Sequence, residues 1–190
     1  MTRKIEVQPY DPTWPALFRK EAERLRPMLG NNLAGLHHIG STAVPGLAAK
    51  PTIDILIVVR SHTRLDACCQ ELESLGYSAK GENGIPGRRY FQRLAGEDHL
   101  FHLHAYEDGH PDIRRHLDFR DFLRVRPETA RAYAALKQSL MAQYTYEPKL
   151  YTEGKSEFIQ LVDRQAAAWR AASQALTGAG NGQLSEDASG

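Results

Sequence analysis

The sequence has few cysteines and no long apolar run. Its 190 residues include only two cysteines, which are adjacent at Cys68 and Cys69. A disulfide between neighbours would strain the backbone and constrain almost nothing, so we predict two reduced thiols. The longest apolar run, "ILIVV", is far shorter than the roughly 20 residues that a membrane-spanning helix needs, and "MTRKIEVQPYD" lacks an apolar signal core. We therefore expect a soluble, cytoplasmic protein with no membrane partner.

An excess of charge of one sign is also missing. Lys and Arg number 24 against 23 Asp and Glu, which gives a formal net charge of +1. No global field favours nucleic acid or an acidic membrane, so nucleic acid is not expected as a partner and any anion must bind to a local cluster. With 42% hydrophobic and 25% charged residues, the composition is that of an ordinary globular domain.

Periodicity in the first half of the chain predicts both strands and helices. The segment "DPTWPALFRKEAERLRPMLG" has apolar residues at helical spacing between a proline-rich start and a stop at Gly30. The run "IDILIVV" is apolar at both parities, which is typical of a central strand covered on both faces. Helical spacing returns in "TRLDACCQELESLGY". The segment "GRRYFQRLAGEDHLFHLHAYE" then predicts two strands joined by a turn at "AGED".

The second half is predicted to be mostly helical. Pro127 marks a break before the longest helix, and a last helix follows Gly154. The polar, glycine-rich tail 177–190 is expected to be disordered. Because strands gather early and helices late, we predict an α+β fold in a single domain over 1–176: a small mixed β-sheet with flanking helices and a helical C-terminal part.

The stretch "HIGSTAVPGLAAKPTIDI" carries residues suited to phosphate chemistry. The Gly-Ser turn, Gly40 and Ser41 with Thr42, offers backbone N–H groups and hydroxyls to a phosphate. Asp54 on the following strand could hold a metal ion that bridges the same phosphates. Its apolar neighbours make an unpaired charge costly to bury, so a metal, Lys50 or a ligand is implied. The alternatives are that the turn only shapes the backbone and that Asp54 only caps a turn or pairs with a lysine.

The order of a Gly-Ser step and then an aspartate on the next strand resembles the nucleotidyltransferase superfamily related to DNA polymerase β. In that superfamily a second acid follows two residues after the aspartate, whereas here that position is Leu56. This departure, with "RRYF", "HLHAY", "FRDFLRVRPETARAYAALK" and "YTEGKSEFI", resembles the GrpB family, an offshoot of the superfamily, over roughly residues 4–165. The resemblance implies a nucleotidyltransferase-like fold. The family has no well-established reaction, although fusion of some members to dephospho-coenzyme A kinase hints at nucleotide or coenzyme A chemistry.

Two histidines on the second strand of the predicted hairpin form a candidate metal site. His102 and His104 are two residues apart, so they project from one face of a strand, where imidazoles can share a metal ion. A structural role is the alternative. The resemblance places them near the third carboxylate of the superfamily, which suggests Asp54, His102 and His104 as a site that replaces three acids. Since imidazole suits transition metals better than Mg²⁺, we expect a divalent transition metal, with a nucleoside triphosphate as a possible substrate.

Several cationic side chains could reach the same ligand. Lys50, in an extended position before a proline, could neutralise a phosphate or merely pair with the nearby aspartate. Arg88, Arg89 and Arg93 lie on the preceding strand, where Arg89 could clamp a phosphate or simply keep an edge strand soluble. Lys155 lies at a helix start, where a cation gains nothing from the helix dipole, so it could reach for the ligand.

Three functions fit these residues. The first is metal-dependent nucleotidyl transfer, with Asp54 as the catalytic residue; the missing second acid counts against it, because two-metal catalysis needs several carboxylates to hold ions about 4 Å apart. The second is a catalytically degenerate module that binds a nucleotide or a coenzyme A-like molecule. The third is a hydrolase that uses a single metal ion. The sequence reveals neither the acceptor nor whether the protein is a monomer or a dimer.

Overall fold

The computed structural model describes residues 4–180 and is built on a five-stranded mixed sheet. Its strands are β1 (Leu33–Ile39), β2 (Ile53–Val59), β3 (Tyr77–Ala79), β4 (Arg89–Ala95) and β5 (Asp98–Glu107), and they lie in the order β1-β2-β5-β4-β3. The inner strands β2 and β5 run parallel, while the other neighbouring strands pair antiparallel. The predicted α+β class is therefore confirmed, as are the central strand and the hairpin.

The helices follow the predicted order with two differences. The segment predicted as a single helix after β2 forms two short helices, because the backbone at Cys68 leaves the helical conformation and its thiol bonds to the Arg64 carbonyl. Pro127 begins a helix, which confirms the predicted break, but this helix of 17 residues is not the longest, because the last helix has 25. The helices are α1 (Trp14–Leu29), α2 (His62–Ala67), α3 (Cys69–Ser74), α4 (Pro111–Val125), α5 (Pro127–Gln143), α6 (Pro148–Glu153) and α7 (Ser156–Gly180).

Strand β2 is buried on both faces because different helices cover its alternate side chains. Ile55 and Ile57 pack with α1, α2 and α3 in the main core. Leu56 and Val58 point the other way and pack with residues of α4. Asp54 shares the parity of this second face but lies at the beginning of the strand, where α4 leaves room for a cleft.

The C-terminal helices form a second core around the connection between β1 and β2. Val44 and Leu47 from that connection pack against Phe122 of α4, Tyr133 of α5 and Val162 of α7. This packing fixes the Gly-Ser turn and Lys50 between the sheet and the helices.

Three further findings concern the C-terminal tail, the cysteines and membrane-spanning helices. Helix α7 continues to Gly180, four residues into the predicted tail, and the rest of that tail, 181–190, lies outside the described residues. Both cysteines are free thiols. Within residues 4–180, no helix combines the length and apolar character that a membrane crossing requires.

Candidate functional site

A cleft of about 480 Å³ lies between the α4 face of the sheet and the C-terminal helices. It brings together every predicted site residue except Arg89, although these residues come from four separate segments of the chain. Those that line it are Gly40, Ser41, Thr42, Lys50, Asp54, His102, His104 and Lys155.

The parallel pairing of β2 and β5 places Asp54 between the two histidines. Asp54 lies opposite His102, and the next pair on the same face of the sheet is Leu56 and His104. One carboxylate oxygen, Oδ1, lies 3.2 Å from His102 Nδ1 and 3.2 Å from His104 Nε2. Parity alone predicts that the imidazoles share a face, and the strand register explains why they share a partner.

This Asp-His centre, Asp54 with His102 and His104, has the ligand chemistry of a single metal site. The three candidate ligand atoms all lie within 4.8 Å of one another. Two imidazole nitrogens and one carboxylate oxygen fit a transition metal better than Mg²⁺. Among the described residues, no second carboxylate joins this group.

The electrostatics of the centre favour a carboxylate and a neutral imidazole. Burial alone would raise the pKa of Asp54, but hydrogen bonds from His102 and His104 outweigh it and hold this pKa well below its usual range. Burial lowers the pKa of His104. The charged carboxylate and the neutral imidazole are the forms that coordinate a metal.

The surroundings of Leu56 are unsuited to a second carboxylate on this strand. The Leu56 side chain is fully buried and packs with Val58 and Tyr106, beneath Ile113 and Leu117 of α4. A carboxylate there would be buried among apolar groups. The cleft beside Asp54 therefore ends at Leu56, where α4 covers this face of the sheet.

Outer contacts orient both imidazoles of the Asp-His centre. His99 Nδ1 lies 2.7 Å from His102 Nε2, and Arg88 Nη1 lies 3.4 Å from His104 Nδ1. The Tyr90 ring packs against both histidines, at centroid distances of 5.5 and 5.1 Å. Sequence analysis gave His99 no role and left Arg88 among the strand cations, because their contacts depend on the register of the hairpin.

Gly40 brings the Gly-Ser turn directly onto Asp54. Its φ of +71° lies in the left-handed region, and a Cβ at this position would lie 2.5 Å from Asp54 Oδ2. Only glycine permits both the backbone conformation and the close approach. The turn therefore holds Ser41, the residue after Gly40, close to the Asp-His centre.

Within the turn, Ser41 and Thr42 have different environments. The Thr42 side chain is buried, and its hydroxyl lies 3.0 Å from His38 Nε2 and donates to the Thr52 carbonyl. It therefore stabilises the turn. The Ser41 hydroxyl instead accepts a hydrogen bond of 2.9 Å from Lys137 of α5 and makes a second hydrogen bond with the Tyr133 hydroxyl.

Lys137 completes a lysine cluster with Lys50 and Lys155 on the cleft wall. Its side chain is buried, and its ammonium also donates to the Ala48 carbonyl. The ammonium groups of Lys155 and Lys50 lie 4.5 and 5.3 Å from the centroid of the same ring, that of Tyr151. Three segments distant in sequence thus place positive charge in one cleft.

The lysines of this cluster disfavour one another's charge. Burial lowers the pKa of Lys137 to about 7, and the charges of Lys155 and Lys50 add to the effect. Burial, with the charge of Lys50, lowers the pKa of Lys155 to about 8. Such shifts mark a place where an anionic ligand would relieve repulsion.

Sequence analysis missed Lys137, although its helix offers a signal. Tyr133, Lys137 and Leu140 are the buried residues of α5 and lie four and three positions apart. A lysine on the apolar stripe of a helix is unusual, because a charge is costly to bury without partners. That placement could have identified Lys137 as a candidate.

Arg89 is the predicted site residue that does not reach the cleft. In β4 it pairs with Ala105, so its side chain lies on the face opposite to Tyr90 and the histidines. Its guanidinium makes two hydrogen bonds to Asp66, at 2.9 and 3.1 Å. The predicted substrate contact is therefore corrected to an ion pair on the other side of the sheet.

Comparisons with known proteins identify relatives over most of the chain. The family model described as GrpB protein matches residues 4–165. The UPF0157 protein YqkA of Bacillus subtilis is 45% identical over 168 residues, which are 88% of this chain and 49% of YqkA. The chain thus spans about half the length of that relative. The crystal structure of the conserved protein GrpB from Enterococcus faecalis superposes with a TM-score of 0.81 at 38% identity, covering 85% of this chain and 96% of that one.

Two more distant matches carry functional names. A dephospho-CoA kinase of Mycolicibacterium paratuberculosis is 28% identical over 191 residues, covering 87% of this chain and 46% of the kinase. A structure of the Cid1 poly(U) polymerase aligns with a TM-score of 0.44 at 14% identity, covering 70% of this chain and 43% of that one.

Proposed function

The chain belongs to the GrpB family, and we propose that its cleft binds a nucleotide or a related phosphate ligand together with one divalent metal ion. The observation that carries the proposal is the position of the lysine cluster and Ser41 beside the Asp-His centre, in one cleft. The close approach of Gly40 to Asp54 places the proposed phosphate site next to the proposed metal ligands.

The phosphate end of the ligand would lie against Ser41 and the lysine cluster. The Ser41 hydroxyl accepts from Lys137 and would donate its own hydrogen to a phosphate oxygen in place of Tyr133. Lys50 and Lys155 would add charge-assisted hydrogen bonds, which are stronger than neutral ones. Since burial lowers the pKa of Lys137 and Lys155, a polyphosphate would gain most by restoring their full charge.

The metal would be held by Asp54 Oδ1, His102 Nδ1 and His104 Nε2, and we expect a transition metal rather than Mg²⁺. When bound, such an ion supplies Lewis-acid polarisation of a phosphoryl oxygen. The residues of the chain itself would fix the phosphates and offset the negative charge that develops on the leaving group.

The reaction that this arrangement would serve is nucleotidyl transfer from a nucleoside triphosphate. An acceptor oxygen, from a hydroxyl or a phosphate, forms a bond to the α-phosphorus while the bond from that phosphorus to the bridging oxygen breaks. Pyrophosphate leaves, and the proton of a hydroxyl acceptor passes to water. The lysine cluster, which lines the same cleft as Asp54, would hold the leaving pyrophosphate.

Two other functions are each favoured by one observation. The apolar burial of Leu56, where the superfamily has a second acid, favours a binding module without turnover. The match to a dephospho-CoA kinase suggests a coenzyme A-like ligand for such a module. The donor set of two nitrogens and one oxygen favours a hydrolase in which one metal ion activates water.

A ligand screen followed by a turnover assay tests these functions. Nucleoside triphosphates, coenzyme A and divalent metals that bind only the folded protein should raise its melting temperature. Release of pyrophosphate supports nucleotidyl transfer, binding without turnover supports the module, and metal-dependent release of inorganic phosphate supports the hydrolase. No shift with any nucleotide or coenzyme A would overturn the proposal. The cytoplasmic location stays a prediction.

A further inference from the structure

A chain of hydrogen bonds runs through the Asp-His centre and ends in an arginine. It joins His99, His102, Asp54, His104 and Arg88 in that order, with distances of 2.7, 3.2, 3.2 and 3.4 Å. The three histidines can change their donor and acceptor roles. The two other members cannot, because the Asp54 carboxylate only accepts and a guanidinium only donates.

The arginine therefore determines which nitrogen of His104 carries the proton. Arg88 Nη1 donates to Nδ1, so Nδ1 must be an unprotonated acceptor. The proton of the neutral ring is then on Nε2, from which it is donated to Asp54 Oδ1. That nitrogen is the one that would have to bind a metal ion, and in this tautomer its lone pair is not available.

We infer that Arg88 is a positioning residue that holds His104 in a tautomer unable to bind a metal ion, so that an ion gains this ligand only when Arg88 releases it. The inference rests on the metal centre proposed above. A metal-ligating histidine normally donates its other N–H to an acceptor. With the metal on Nε2, the Nδ1–H of His104 would face the N–H groups of Arg88, and two donors would oppose each other.

His102 is under no such restriction. Its outer partner is His99, whose Nδ1 can donate to the His102 ring or accept from it, depending on the tautomer. The same contact is therefore compatible with a proton or with a metal on His102 Nδ1. The barrier to a metal lies on the His104 side of the centre alone.

The hydrogen bonds of Arg88 link the Asp-His centre to the loop that contains Glu82 and Asn83. Arg88 is 5% exposed, donates to the carbonyls of Glu82 and Asn83 at 3.2 and 2.8 Å, and stacks over the ring of Tyr90. Asn83 also lines the cleft. A movement of Arg88 away from His104 would therefore also change its contacts with Asn83, which lines the cleft.

The tautomer of His104 can be measured directly by long-range ¹H–¹⁵N NMR spectra of the metal-free protein with ¹⁵N-labelled histidine. We expect protonated Nε2 and unprotonated Nδ1. A wild-type His104 protonated on Nδ1 would overturn the inference, whatever any variant does. This measurement requires neither metal binding nor the proposed function.

Zn²⁺ titration of variants tests the consequence for binding. In Arg88→Gln the amide oxygen can accept from Nδ1–H, so Zn²⁺ should bind about tenfold more tightly. Arg88→Lys keeps a donor and should resemble the wild type. Arg89→Gln is the matched control, because its side chain lies on the other face of the sheet.

The gain must also depend on His104. It should vanish when Arg88→Gln is combined with His104→Ala; equal affinities in folded Arg88→Gln and wild type, or a gain that survives His104→Ala, would contradict the inference. If neither protein binds Zn²⁺, the proposed metal centre is wrong. The NMR spectra would then still decide whether Arg88 sets the tautomer of His104.

Discussion

The ammonium of Lys137 lies 2.9 Å from the hydroxyl of Ser41, although the two residues are 96 positions apart. One belongs to a turn next to the sheet and the other to the buried face of α5. This contact connects the C-terminal helices to the turn that approaches Asp54. It gives the proposed phosphate site a charged group that the turn alone lacks.

The Ser41 hydroxyl should contribute modestly to nucleotide affinity. Ser41→Ala removes one hydrogen bond, so the affinity should fall by roughly 1 kcal/mol, about fivefold. Isothermal titration calorimetry with the tightest-binding triphosphate measures this loss. Because Ser41 and Lys137 are in contact, their effects should not add in a double-mutant cycle with Lys137→Met. Equal affinities of wild type and Ser41→Ala would remove Ser41 from the site.

Gly40 should be needed for folding as well as for the site. Gly40→Ala would strain the backbone at φ +71° and force the new Cβ against Asp54 Oδ2. We expect a loss of about 1–3 kcal/mol in the free energy of unfolding, measured by urea denaturation. Gly84→Ala is the control, since its φ is +80° but its Cβ would meet open space. A larger loss for Gly84→Ala would contradict the close approach.

Phosphate binding should be accompanied by proton uptake. The pKa values of about 7 for Lys137 and about 8 for Lys155 leave part of both groups neutral at pH 8. A bound phosphate favours the ammonium form and raises both pKa values, so protons are taken up and the affinity falls as pH rises through this range. Calorimetry at pH 8 in two buffers of different ionisation enthalpy should give different apparent enthalpies. Identical enthalpies would show that the lysines do not change their charge.

Metal binding should depend on the histidines. His104→Ala removes a nitrogen ligand, so Zn²⁺ or Mn²⁺ should bind at least about tenfold more weakly, and the wild type should prefer either ion to Mg²⁺. Calorimetric titration without nucleotide measures both effects, with His37→Ala on β1 as the control. If His104→Ala binds these ions as tightly as the wild type, the two histidines are structural.

Local signals were enough to predict one half of the cleft. The Gly-Ser step, the aspartate at the start of an apolar strand and the equal parity of His102 and His104 are all short-range patterns. Each describes residues that neighbouring strands bring together. The α+β class and the hairpin follow from the same kind of pattern.

The other half depends on contacts that no local pattern contains. Lys137 reaches Ser41 only because α5 packs over the connection between β1 and β2. Arg89 was assigned to the cleft because parity shows which residues share a face, but not which face is the open one. The register with β5 decides that question, and it places Arg89 beside Asp66.

If the lysine cluster and Ser41 bind a polyphosphate, replacement of Lys137 must weaken that binding, and calorimetry measures the loss. The four common nucleoside triphosphates are titrated into wild type, Lys137→Met and Lys149→Met, in which an exposed lysine is changed as the control. A hydrogen bond to a charged group contributes roughly 1.5–3 kcal/mol, so the affinity of Lys137→Met should fall about tenfold or more while that of Lys149→Met does not change. Equal affinities in all three proteins, or no binding of any triphosphate by the wild type, would contradict the account.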